Sequence, residues 1–111
     1  MRESHAFAVG AGGANGIYED LFRVGLGKLT VIDFDTVDAS NLVTQGWQYR
    51  QIGRSKVQAL ADNVANIVPA VAEAGRVVPI ARNFLEMTDD ELTELAQDAS
   101  ILMFMCDDFF A

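Results

Sequence analysis

The sequence predicts an α/β fold: a parallel sheet of about four strands, in the order 3-2-1-4, with helices on both faces. Three observations lead there. Apolar runs of strand length alternate with stretches at helical spacing. A glycine-rich turn, Gly10-Ala11-Gly12-Gly13-Ala14-Asn15-Gly16, follows the first apolar run, which is where an α/β fold sets a phosphate-binding turn. The second run closes on Asp33-Phe34-Asp35, and Asp33 lies 23 residues after Gly10. A dinucleotide fold places its ribose-binding acid at an offset of roughly 20.

Residues 5–9 are a short apolar run stopped by glycine, the pattern of a buried parallel strand. Ala14, Ile17, Leu21 and Val24 then recur at helical spacing and predict the apolar face of a first helix, with Gly25 and Gly27 at its end. Residues 29–34 are apolar and β-branched, giving a second strand buried on both faces. No periodicity runs through 35–53, and a connection of that length inside a compact domain is more often functional than idle. It carries Ser40, Asn41 and Gln45, and leads to Lys56 at the start of a second helix. Val57, Leu60, Ala61, Val64 and Val68 form that helix's apolar face, and Pro69 stops it.

Residues 75–80 supply a third strand, with Pro79 at a sheet edge or at the strand's end. Thr88-Asp89-Asp90-Glu91 reads as a capping box, with Met87 and Leu92 as its hydrophobic staple, so a third helix runs to about Asp98. Residues 101–105 are a fourth, wholly apolar strand that ends at Cys106-Asp107-Asp108. Right-handed crossovers then give the order 3-2-1-4, with a switch point between strands 1 and 4. Ligands in such sheets bind outside the carboxyl ends of the strands, where the glycine turn, Asp33 and Asp107 would meet.

Composition narrows the function. The chain has 111 residues, enough for one core and too few for two ordinary domains. Half of it is hydrophobic and 22% is charged, the balance of a soluble globular domain. A net charge of −8 repels a phosphate backbone, and no local basic patch offsets it, so no nucleic-acid partner is expected. No apolar run approaches the roughly 18 residues that span a bilayer, so no membrane partner is expected either. One cysteine and no signal-peptide pattern point to a reducing cytoplasm. Cys106 itself reads as a small apolar residue at a buried strand end, since His5 is the only histidine available to activate it.

The pattern G-x-G-G, then D-F-D-x-V-x-x-S-N-L-x-x-Q, then I-G-x-x-K, then an apolar strand closed by aspartate, resembles the ThiF, MoeB and ubiquitin-activating superfamily of adenylating enzymes. The likeness runs from Ala8 to Asp108. It implies a Rossmann-like three-layer fold, with residues 1–111 a single nucleotide-binding domain truncated relative to the full family domain. It implies ATP and Mg²⁺ as cofactors, adenylation of a carboxylate, and a ubiquitin-like or sulfur-carrier protein as partner. By the resemblance Gly12 and Gly13 approach the phosphates, Asp33 the ribose, and Asn41 and Lys56 the phosphate chain, with Gly10, Asp35, Ser40 and Gln45 also among the cofactor-binding residues. Lys56 and Asp107 carry the catalytic roles, Asp107 as the Mg²⁺ ligand. The chemistry asks for these types: a carboxylate attacking an α-phosphate brings two anions together, so the site must neutralise charge and position groups.

Two departures separate the chain from the family pattern. Asn15 stands where a third glycine is usual, and Thr44 where an arginine usually precedes the loop glutamine. Loss of that arginine removes a bidentate phosphate donor, for which Arg50 and Arg54 are the nearest substitutes. The chain alone is therefore expected to be weak or inactive as an adenylyltransferase. A catalytically impaired scaffold is the second reading. A NAD-binding oxidoreductase domain is the third: it shares the turn and the ribose acid but gives no reason for S-N-x-x-Q or I-G-x-x-K. The apolar fourth strand at a sheet edge, together with the family's habit, leads to an expected homodimer.

Overall fold

In a computed structural model, described for residues 4–11, 15–39, 47–67 and 76–104, the chain runs β1 (His5–Val9), α1 (Asn15–Arg23), β2 (Lys28–Ile32), α2 (Lys56–Ile67), β3 (Val77–Ile80), α3 (Asp89–Ala96) and β4 (Ile101–Phe104). Short 3₁₀ turns at Tyr49–Gln51 and Phe84–Glu86 precede α2 and α3. The strands form one parallel sheet in the order β3-β2-β1-β4, as the sequence predicts. Ala8 pairs with Val31 on one side and Met103 on the other, and Val31 pairs in turn with Pro79. Proline therefore sits in an edge strand, where a missing N–H is tolerated.

Side chains alternate across the sheet and feed two cores, which is why β1 is buried along its whole length. Ala6, Ala8, Leu29 and Val31 pack with Tyr18, Phe22, Val57, Leu60 and Val64 of α1 and α2. Phe7, Val9 and Ile32 pack on the other side with Met87 and with Leu92 and Leu95 of α3. Small alanines on the first face let the two helices approach. The result is three layers, with helices on both faces.

Two expectations need correction. The expected apolar face of α1 holds only at Leu21, which packs against the core: Ile17 is 45% and Val24 68% exposed, while Tyr18 and Phe22 are buried. The helix is turned by one position because two aromatic rings bury more area than two aliphatic chains, and because the Tyr18 hydroxyl finds the carbonyl of Gly10 at 2.5 Å. Ala14 lies outside the described residues. Second, β2 stops at Ile32 rather than Phe34, whose side chain is half exposed. Asp33 turns the chain there, its Oδ1 accepting the N–H of Asp35 at 2.9 Å.

Helix α3 starts as the sequence predicts. Thr88 is the N-cap, and its side chain and that of Glu91 exchange hydrogen bonds with each other's backbone. The helix ends at Ala96, slightly before the expected Asp98. Hydrogen bonding by the Arg82 guanidinium first, and then by the Thr88 N–H, lowers the Glu91 carboxyl from 4.5 to about 2. A carboxyl whose folded value is depressed adds stability above its unfolded value and loses it as pH falls through the folded one. Glu91 should therefore stabilise the fold fully above pH 4.5 and progressively less down to about pH 2. Glu91→Gln should flatten this acid limb of a melting-temperature profile; an unchanged slope would mean that the pair does not persist in solution.

At the amino-terminal end of the sheet, buried His5 joins three segments. Its Nδ1 lies 2.7 Å from Asp98 Oδ1, and its Nε2 lies 2.8 Å from Thr30 Oγ1. The hydrogen bond to His5 holds the Asp98 carboxyl below its ordinary range. This cluster stands at the opposite end of the strands from the predicted crevice.

Candidate functional site at the carboxyl ends of β1 and β2

Gly10 leaves β1 with φ of 99°, a conformation open to glycine at little cost. Its N–H donates to the carbonyl of Ile32 at 2.8 Å, so the start of the turn stays tied to β2. The next N–H, that of Ala11, donates to Asp33 Oδ2 at 2.9 Å. Asp33 thus grips two backbone amides, one through each oxygen, and it unites the turn after β1 with the turn after β2. A carboxylate has about four acceptor positions, so roughly two remain.

Lys56 opens α2. Its N–H donates to the Asp35 carbonyl at 2.9 Å, and Thr36 bridges Ser55 in antiparallel fashion, drawing the helix start against the end of β2. The Lys56 side chain is only 8% exposed, and its Nζ stands 3.8 Å from Asp35 Oδ2. A lysine buried to this degree beside a half-exposed carboxylate is a paired cation at the edge of the core rather than a solvated surface lysine.

Of the predicted site residues, Gly10, Asp33, Asp35 and Lys56 are thus connected by hydrogen bonds and an ion pair at one end of the sheet. Gly12, Gly13, Ser40, Asn41, Gln45 and Asp107 lie outside the described residues, as do Thr44 and Cys106. Among the described residues no group of three or more His, Cys, Asp or Glu is placed to hold a metal ion. Arg50 and Arg54 line a groove of about 430 Å³ with Gln51, Asp62, Ala65 and Asn66. Arg54 is already paired with Asp62 at 2.7 Å, so much of its charge is committed there.

Several residues that shape this end of the molecule do not stand out in the sequence. Gln51 is buried: its Nε2 donates to Asn63 Oδ1 at 2.7 Å and to the Ala59 carbonyl at 3.3 Å, while its Oε1 accepts the Gln48 N–H at 2.9 Å. It locks the 3₁₀ turn onto α2. The available signal was Asn63, which falls three residues after Leu60 on an otherwise apolar helix face; a polar residue there needs a buried partner. Trp47, also buried, joins the core beside this turn.

The model of the ThiF family matches residues 1–111. The chain belongs to the ThiF family. Among its relatives, the ubiquitin-like modifier-activating enzyme 5 of Caenorhabditis elegans is 38% identical over 72 residues, 64% of this chain and 17% of that protein. The molybdopterin-synthase adenylyltransferase of Salmonella typhimurium is 30% identical over 105 residues, 93% of this chain and 39% of the relative. A crystal structure of the E. coli tRNA N6-threonylcarbamoyladenosine dehydratase in complex with ATP superposes with a TM-score of 0.77 at 25% identity, covering 96% of this chain and 42% of the other. This ThiF-family chain thus spans well under half the length of these proteins. No helix among its described residues is long and apolar enough to cross a membrane.

Proposed function

We propose that this chain is the ATP-binding part of an adenylating enzyme, which binds ATP with Mg²⁺ and activates a carboxylate by forming an acyl adenylate. The observation that carries this is the joining of the Gly10–Ala11 turn, Asp33, Asp35 and nearly buried Lys56 at the carboxyl ends of adjacent strands. Family membership and the relative solved with ATP support it. In this reading Asp33 offers its remaining acceptor positions to the ribose hydroxyls. Lys56 neutralises the phosphate chain, and Gly12, Gly13, Ser40, Asn41 and Gln45 complete the cradle. Asp33 already accepts two N–H bonds and Asp35 sits by an ammonium. By the family resemblance Asp107 is the carboxylate that would hold Mg²⁺, an ion that needs one or two carboxylates beside substrate phosphates.

Bound Mg²⁺ would withdraw charge from the phosphates. The residues of the chain hold the nucleotide so that the α-phosphate faces the incoming carboxylate, and no protein nucleophile is required. The names of the relatives, a ubiquitin-like modifier-activating enzyme and a molybdopterin-synthase adenylyltransferase, favour the C-terminus of a ubiquitin-like or sulfur-carrier protein as that carboxylate. Calorimetric titration should show tighter binding of MgATP than of NAD. The reverse order would overturn the reading in favour of an oxidoreductase domain.

The homodimer belongs to the same proposal. Leu102 and Phe104 of the edge strand β4 are 62% and 50% exposed, and exposed apolar edges attract a second strand. Light scattering across a concentration series should give a mass above that of the monomer; a monomer at every concentration would refute it.

A further inference from the structure

The peptide unit joining Gly10 to Ala11 is held at both ends by side chains. Its carbonyl accepts the Tyr18 hydroxyl at 2.5 Å, and its N–H donates to Asp33 Oδ2 at 2.9 Å. In a trans peptide these two groups point in opposite directions, so Tyr18 and Asp33 clamp the unit from opposite sides. Turning the unit over would set a carbonyl oxygen against a carboxylate and leave an N–H facing the tyrosine. Such a turn rotates ψ of Gly10 and φ of Ala11 together: glycine leaves the first rotation open, and only the Cβ of Ala11, which disfavours positive φ, resists the second. The two side-chain bonds add to that backbone preference and hold the unit from both sides.

Tyr18 is suited to impose it. The residue is fully buried in the core between sheet and helices, and its ring is packed on every side. Burial first, and the neighbouring Asp33 charge second, push its hydroxyl above the ordinary tyrosine range, so it remains a proton donor through neutral pH. A buried hydroxyl without an acceptor is costly, and the Gly10 carbonyl is the acceptor it uses.

We propose that Tyr18 is a positioning residue for the nucleotide site: by holding the Gly10 carbonyl inward it keeps the Ala11 N–H on Asp33, and so sets the direction in which the free carboxylate positions of Asp33 meet the ribose hydroxyls. This rests on the ATP reading above. Tyr18 itself touches no nucleotide and acts only through the peptide unit and Asp33. Its removal should cost selectivity for the ribose rather than binding in general.

The test compares the parent chain and Tyr18→Phe, each titrated with MgATP and with 2′,3′-dideoxy-ATP. In the parent, ATP should bind more tightly than the dideoxy analogue; equal binding would overturn the ribose role of Asp33 and this inference with it. In Tyr18→Phe, loss of one buried hydrogen bond should weaken ATP by roughly three- to tenfold and leave the dideoxy analogue nearly unchanged. Parallel weakening of both ligands, or no weakening of either while the parent discriminates, would overturn the role of Tyr18 and leave the ATP reading standing. A ligand-free readout runs beside it. The Ala11 amide should exchange its hydrogen roughly tenfold faster in Tyr18→Phe, while amides of β2 keep their protection. An Ala11 amide as protected as in the parent would also overturn the proposal.

Discussion

Replacing Lys56 by methionine should weaken MgATP binding by roughly ten- to a hundredfold, the worth of one charge-assisted contact of about 1.5–3 kcal/mol. Methionine keeps a flexible apolar stem in the space where the lysine stem is buried, and it deletes only the cation. Because the Asp35 side chain is 47% exposed, it can rehydrate when the ammonium is gone, so stability should change by less than about 1 kcal/mol. Adenosine, which lacks phosphates, should bind Lys56→Met and the parent alike. Calorimetry with both ligands separates the cases: equal losses for ATP and adenosine would show a collapsed site, and no loss for ATP would remove Lys56 from the phosphate chain.

Trp47→Ala should be the most damaging single change to the fold. The side chain is buried in the core formed by the sheet, α1 and α2, and truncating a buried Trp costs about 3–5 kcal/mol through lost burial and a residual cavity. A domain of this size has about 5–15 kcal/mol in total, so much of the variant population should be unfolded near its parent's working temperature. Trp47 is the only tryptophan in the chain, so urea titrations must follow circular dichroism rather than intrinsic fluorescence. A midpoint within experimental error of the parent's would show that the indole is not part of the core.

The strand order could be read from residues because right-handed crossovers between apolar runs leave few arrangements, and the third helix because Thr88 and Glu91 form a cap from adjacent sequence alone. The face of α1 could not. Ile17, Leu21 and Val24 share helical spacing with one another, as Tyr18 and Phe22 do, and the choice between the two stripes depends on a carbonyl eight residues upstream of Tyr18. The end of β2 was misplaced for a similar reason. Phe34 has strand propensity, but Asp33 is drawn into bonds with Ala11 and Asp35 that end the strand first.

The site was readable to the extent that motifs announce themselves. Asp33, Asp35 and Lys56 lie where residue type and spacing place them, at one end of the sheet. Asn63 signals only that some buried partner is needed, and Gln51 is an ordinary polar residue until it is brought alongside from twelve positions away. Tyr18 was hidden for the opposite reason. A ring at helical spacing reads as core, and it is core; its hydroxyl gains meaning only from the carbonyl above it.

The two borders of the sheet differ in a way that gives it a direction of growth. In a parallel strand, alternate residues turn their backbone groups to opposite sides. The carbonyls of Arg76 and Ile80 accept from β2, so Val77 and Pro79 turn outward, and Pro79 has no N–H to give an incoming strand. On the far side the Ser100 N–H points to His5, so Ile101 and Met103 turn outward with their N–H groups intact. One border offers an interrupted row of donors and the other a complete one. Any strand that extends this sheet, whether from the same polypeptide or from another molecule, should therefore be accepted beside β4 and refused beside β3.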